Sequence, residues 1–172
     1  MTAPPEHKVG RGEDQMRNIH GHELAFPEDV YYTEELLWVK DQGENRVRVG
    51  ISDLGVKSVK ELVFVQISPR AGAKVTKGES LGHVETSKGI WEIIVPLSGT
   101  LVEINPSIAK GNARPISDDP YGKGWLVDLE PADGNGSALK TLFKGSDAKT
   151  KEWILEKVEE VVPLMDEGED DE

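Results

Sequence analysis

Val84-Glu85-Thr86-Ser87-Lys88-Gly89 joins two strand-like runs, Gly82-His83-Val84-Glu85 and Ile90-Trp91-Glu92-Ile93-Ile94-Val95. A tight turn favours Gly, Asn or Asp, which tolerate left-handed backbone or bond it locally. Lysine does neither, so turn chemistry alone does not explain Lys88. Its amine, flanked by small Ser87 and Gly89, is a candidate for covalent attachment of a cofactor. Taken alone, a solvated turn lysine explains the residue as well.

Working outward, the pattern from Leu36 to Pro131 is that of β-structure. Val47-Arg48-Val49-Gly50-Ile51 alternates with period two, as a half-buried strand does. Leu62-Val63-Phe64-Val65-Gln66-Ile67 is a run of β-formers stopped by Ser68-Pro69. Gly99 to Ile104 and Trp125 to Leu129 read as further strands. A short helix is expected between Ser52 and Glu61, capped by Ser52 or Asp53. Gly72 and Gly99 stand before and after the lysine hairpin in a weak internal echo, Arg70-Ala71-Gly72 against Leu97-Ser98-Gly99. Each glycine can make the turn that lays a strand beside its neighbour.

The flanks differ. Residues 1–25 are polar, with little periodicity, and read as a flexible extension. Pro27 to Thr33 reads as a loop or single helical turn. After Pro131 comes a Gly-rich linker, then a short helix from Ser137 through Phe143. A longer helix follows from Ser146, with Ile154, Leu155, Val158, Val161 and Val162 at helical spacing. Pro163 is expected to end it. Residues 132–164 are thus linker and C-terminal helices, and residues 165–172 an acidic, disordered tail.

Charge and composition narrow the function. The 172 residues carry a formal charge of −12, the wrong sign for nucleic acid and for an anionic membrane surface. No apolar run has the length of a membrane span. The N-terminus lacks the charged-then-apolar order of a secretory signal, so a cytoplasmic location is expected. With no cysteine, disulfides, thiolate nucleophiles and Cys metal sites are excluded. His20-Gly21-His22-Glu23 invites a metal reading, but two imidazoles in a flexible segment make a weak site. No metal is expected.

Three motifs in register now carry a resemblance: Val84 to Gly89, then Pro96-Leu97-Ser98-Gly99, then Asp119-Pro120-Tyr121-Gly122-Lys123-Gly124-Trp125-Leu126. With Gly50-Ile51-Ser52-Asp53 and Leu62-Val63-Phe64-Val65 they resemble the glycine-cleavage H-protein family from about Tyr31 to Pro131. The resemblance implies a mainly β lipoyl-carrier fold, a barrel-sandwich hybrid of two antiparallel sheets over residues 26–131. It implies lipoate amide-linked to Lys88, with Glu85, Gly72 and Gly99 matching positions that the modifying enzyme recognises. Biotin carriers are similar but usually place methionine on both sides of the lysine; here the neighbours are Ser87 and Gly89. The chain would then be a non-catalytic carrier whose partners are a lipoate-attaching enzyme, dihydrolipoamide dehydrogenase and the enzymes it serves.

The chain also departs from the family. Leu36-Leu37-Trp38 stands where a His-Glu-Trp element is usual, and Ala109 to Pro115 replaces a Ser-Pro-Glu-Leu loop. Trp91 replaces a small polar residue; it is read either as an arm or partner contact or as a sheet-packing residue. His83 shares a strand face with Glu85 and reads as a surface histidine or an arm contact. These departures favour an H-like lipoate-binding protein serving a heterodisulfide-reductase-like complex in sulfur oxidation. The alternatives are a glycine-cleavage H-protein carrying an aminomethyl group, and an interaction module that has lost its cofactor.

Overall fold

Glu44 and Asn45 both adopt left-handed backbone, φ 55° and 56°, between strands β4 (Leu37–Gly43) and β5 (Arg46–Ile51). Two positive-φ residues form the hairpin turn whose twist matches that of the strands it joins. The hairpin puts Trp38 opposite Gly50, and a Cβ at Gly50 would overlap the indole ring. The indole N–H donates to the Pro120 carbonyl at 2.9 Å, so this cross-strand pair also fixes a loop distant in sequence.

The computed structural model describes residues 16–134 and 136–167. Around the β4–β5 hairpin lies a seven-stranded sheet in the order β12-β3-β4-β5-β11-β10-β7. Its remaining members are β3 (Tyr31–Tyr32), β7 (Lys74–Val75), β10 (Gly99–Ile104), β11 (Val127–Pro131) and β12 (Phe143–Lys144). A three-stranded sheet, β6-β8-β9, comprises Leu62–Ile67, Ser80–Thr86 and Gly89–Ile94. Strand neighbours in both are antiparallel, as expected of the carrier fold. Side chains from both sheets fill one core, among them Val49, Ile51, Leu101 and Leu129 with Val65, Val84 and Ile93. Helix α1 (Asp53–Ser58) is capped as expected: Ser52 Oγ accepts the Gly55 N–H at 3.1 Å.

A second core explains two differences from the sequence reading. Residues 16–25, expected as part of a flexible extension, include a β-hairpin, β1 (Met16–Ile19) with β2 (His22–Ala25). Leu24 is fully buried there with Phe26, Trp38 and Leu54, and Asp53 Oδ2 accepts the Ala25 N–H at 2.8 Å. Residues 1–15 of that expectation lie outside the described residues. The last helix, α3 (Ala148–Glu167), runs through Pro163 instead of stopping at it. Val158, Val161, Val162 and Met165 are buried in the same core on either side of the proline, and that packing carries the helix past it. The acidic tail therefore begins in helix at Asp166 and Glu167, while residues 168–172 lie outside the described residues. The short helix predicted from Ser137 is a 3-10 turn, Ser137–Thr141, led by Gly136 at φ 80°. A second helix, α2 (Arg114–Asp118), was not legible, because it lies within the Ala109 to Pro115 departure.

Candidate cofactor-attachment site

Strands β8 and β9 pair to their ends, with Thr86 opposite Gly89, so Ser87 and Lys88 form the two-residue tip. Thr86 holds that tip in shape. Its Oγ1 accepts the Lys88 backbone N–H at 3.0 Å and donates to the Gly89 carbonyl at 3.0 Å. The Ser87 N–H donates to the Glu61 carbonyl at 3.1 Å, tying the tip to the start of β6. Gly89 takes φ 133° with open space where a Cβ would stand. Lysine is thus tolerated because Thr86 and Gly89 meet the turn's demands on either side of it. Lys88 is exposed, and its Nζ donates to the Leu164 carbonyl near the end of α3 at 3.0 Å.

The outer and inner faces of this sheet separate the remaining expected residues. His83 and Glu85 lie on one face of β8, their side chains 3.5 Å apart at Nε2 and Oε2. The register places Glu92 opposite His83 and Ile90 opposite Glu85. Ile90 is 72% exposed, an apolar side chain in open solvent two residues from the lysine. Trp91 stands opposite buried Val84 and packs against the main core, half-buried. Of its two readings, sheet packing describes this placement.

The two glycines sit elsewhere. Gly72 (φ 94°) donates its N–H to the Leu101 carbonyl at 2.7 Å, and Gly99 pairs with Val75 in the seven-stranded sheet. A Cβ at Gly99 would overlap the Glu130 carbonyl oxygen, so both glycines shape the strand crossing rather than the hairpin tip. At the other end of β9 from Lys88, a cavity of about 150 Å³ is lined by residues including Glu34, Glu35, Lys77, Ile94 and Phe143. Glu34 accepts from Lys157 at 2.9 Å; that hydrogen bond holds its carboxyl below the ordinary value, against the opposing effect of burial. Leu37 is fully buried and Leu36 half-buried at φ 69°, so apolar packing occupies the positions that depart from His-Glu-Trp. His20 pairs with Glu159 at 2.6 Å, and no grouping of three metal-ligating side chains occurs among the described residues.

Sequence reasoning missed Thr86 and Leu164. A threonine two residues before the lysine is a local turn signal that could have been read. The Leu164 contact spans 76 residues and has no local signature. Also missed was Asp128, 1% exposed, which accepts hydrogen bonds from Arg46 and Arg48 at 2.7 to 3.1 Å. The Arg48 guanidinium in turn lies 3.8 Å over the Trp125 ring.

Comparison with known proteins agrees with this geometry. The family model described as "Glycine cleavage H-protein" matches residues 30–157. A glycine cleavage system H protein of Mycobacterium avium is 41% identical over 108 residues, 63% of this chain and 80% of that one. The Mycobacterium leprae protein of that name is 37% identical over 134 residues, 77% of this chain and 98% of its own. The crystal structure of an H protein from Mycobacterium marinum superposes with TM-score 0.55 at 39% identity, covering 62% of this chain and 86% of that one.

Proposed function

The chain belongs to the glycine cleavage H-protein family, and from that premise we propose that Lys88 is its lipoyl-attachment residue and an aminomethyl group its cargo. As in its family, the chain is a non-catalytic lipoyl carrier. The observation that carries the site assignment is the hairpin tip itself. It presents an exposed primary amine on a turn held by Thr86, with open space over Gly89. When bound, lipoate supplies a dithiol that exchanges the cargo and an electron pair at the end of a long tether.

The chain's own residues do three things. Lys88 anchors the tether at the extremity of the β8–β9 hairpin, where its neighbours leave the approach uncrowded. Thr86 and the Ser87–Glu61 contact fix the direction in which the anchor leaves the sheet. Glu85 and Glu92 place negative charge on the face beside it, in a chain of net charge −12. Such a surface suits partners with basic docking faces and makes association salt-sensitive. Tethering raises the local concentration of cargo at a docked partner to roughly the millimolar range of a short flexible linker.

The proposed partners are the glycine decarboxylase, the aminomethyltransferase, dihydrolipoamide dehydrogenase and a lipoate-attaching enzyme. This replaces the sulfur-oxidation reading favoured by the sequence departures. That reading rested on Leu36-Leu37 and Trp91, which here serve the packing of the two cores. No heterodisulfide-reductase-like partner is proposed.

The test is reconstitution. Chain lipoylated in vitro is added to decarboxylase, aminomethyltransferase and dehydrogenase, and glycine-dependent NADH formation is followed. Activity with the lipoylated chain and none with Lys88→Arg is expected. A lipoyl mass increment that survives Lys88→Arg would sink the site assignment. Full lipoylation without glycine-dependent turnover would sink the cargo.

A further inference from the structure

Helix α3 ends at Glu167, so the carbonyls of residues 164–167 have no amide four residues ahead to accept from within the helix. Such a terminus carries partial negative charge and is stabilised by a nearby cation. The last turn of α3 has no basic residue, and its sequence, Leu164-Met165-Asp166-Glu167, places two acidic residues there, the wrong sign for this end. Pro163, inside the helix, lacks the N–H that would bond one turn back, which weakens the same region. Against this poorly terminated end stands Lys88, whose Nζ donates to the Leu164 carbonyl at 3.0 Å. The cation absent from the helix comes from a hairpin 76 residues away.

We propose that the unmodified Lys88 ammonium is the C-terminal cap of α3, and that lipoylation removes the cap and loosens the helix's last turn. The inference rests on Lys88 being the attachment residue. Acylation by an activated lipoyl ester or thioester forms the Nζ–C amide bond and expels the donor's leaving group with its electron pair. Two of the three ammonium protons pass to solvent. What remains is a neutral nitrogen with a single N–H in place of a cation with three donors. The helix terminus loses its charge partner at the moment the carrier gains its arm. The end of α3 thereby distinguishes unmodified from loaded carrier, and the modifying enzyme must displace it to reach the amine.

The test is hydrogen exchange by NMR at the amides of residues 164–167. Full-length chain is compared unmodified, fully lipoylated, and as the variants Lys88→Arg and Lys88→Gln. Arginine keeps the charge and cannot be acylated as lysine is; glutamine is a neutral donor. Exchange about two- to fivefold faster is expected in the lipoylated chain and in Lys88→Gln, the effect of losing one cation at a helix C-terminus. Lys88→Arg is expected to match the unmodified chain. Unchanged exchange in chain whose lipoyl group maps to Lys88 overturns the proposal, as does equal exchange in the Gln and Arg variants. A lipoyl group mapping to another lysine defeats the attachment assignment instead, while the two variants still decide the cap.

Discussion

Tyr121→Phe isolates the hydroxyl that fastens the N-terminal hairpin to the carrier. The Tyr121 hydroxyl donates to the Ala25 carbonyl at 2.8 Å and accepts the Asp53 N–H at 3.0 Å. Phenylalanine keeps the ring and its contact with Trp38, centroids 5.9 Å apart, so only the two hydrogen bonds are lost. Both partners are partly buried main-chain groups. At the low end of about 1–3 kcal/mol for each group left unsatisfied, the loss comes to about 2 kcal/mol. For a chain of this size that lowers the melting temperature by about 4–8 °C.

The pH dependence provides an independent check. Burial, ahead of the other effects, raises the pKa of Tyr121 well above its ordinary value of 10.0. The folded chain therefore keeps a phenolic proton that the unfolded chain gives up above pH 10. That stability is fully present below pH 10 and is lost as pH rises, at about 1.4 kcal/mol per pH unit. Phenylalanine has no such proton, so the gap between wild type and variant should shrink to less than half by pH 11. Tyr32, raised chiefly by burial as well, is retained in both proteins, and its contribution largely cancels. Urea unfolding followed by circular dichroism at pH 7, 10 and 11 measures both effects. A gap below about 0.5 kcal/mol at pH 7, or one that does not change with pH, would refute the reasoning.

Three further outcomes are expected. Leu24→Ala should cost about 2–5 kcal/mol in urea unfolding, the range for a buried leucine; a mobile extension would show almost nothing. Thr86→Val should change stability by less than about 1.5 kcal/mol, because water can reach the exposed turn. The same variant should slow lipoylation of Lys88 severalfold in a mass-resolved time course, since the lysine's backbone anchor is gone; an unchanged rate removes Thr86 from the site. Gly111→Ala should destabilise by about 2–4 kcal/mol in the same urea assay. It forces a side chain to φ 85° and drives a Cβ into the Phe64 ring. A midpoint equal to wild type would mean that Phe64 can move aside.

The lysine hairpin was legible because its signal is local. Strands β6 and β10 match the apolar runs read from sequence residue for residue, since each is bounded by Gly or Pro punctuation. The long β4 was blurred: Leu37 and Trp38 are apolar neighbours that alternation alone does not assign, and both are buried. The N-terminal hairpin was invisible for a different reason. Of its residues only Leu24 is fully buried, and what holds it is Asp53, Tyr121 and Glu159 from far along the chain. Pro163 misled because propensity was read without the second core, whose burial outweighs one missing hydrogen bond. The Tyr121 motif shows the reverse case. It was recognised as part of a family pattern before its work, clamping the hairpin to α1, could be seen.

The division into two cores also orders events in time. The larger core draws its buried residues from Leu37 to Leu139, whereas the second needs residues as late as Met165. At roughly 5–20 residues per second, the ribosome takes about 1–5 s to add the intervening stretch. During that interval the lysine hairpin and everything that packs beneath it already exist as chain, but the Leu164 carbonyl does not. The amine is therefore born without its helix contact, and the nascent chain offers the modifying enzyme a less encumbered target than the finished one.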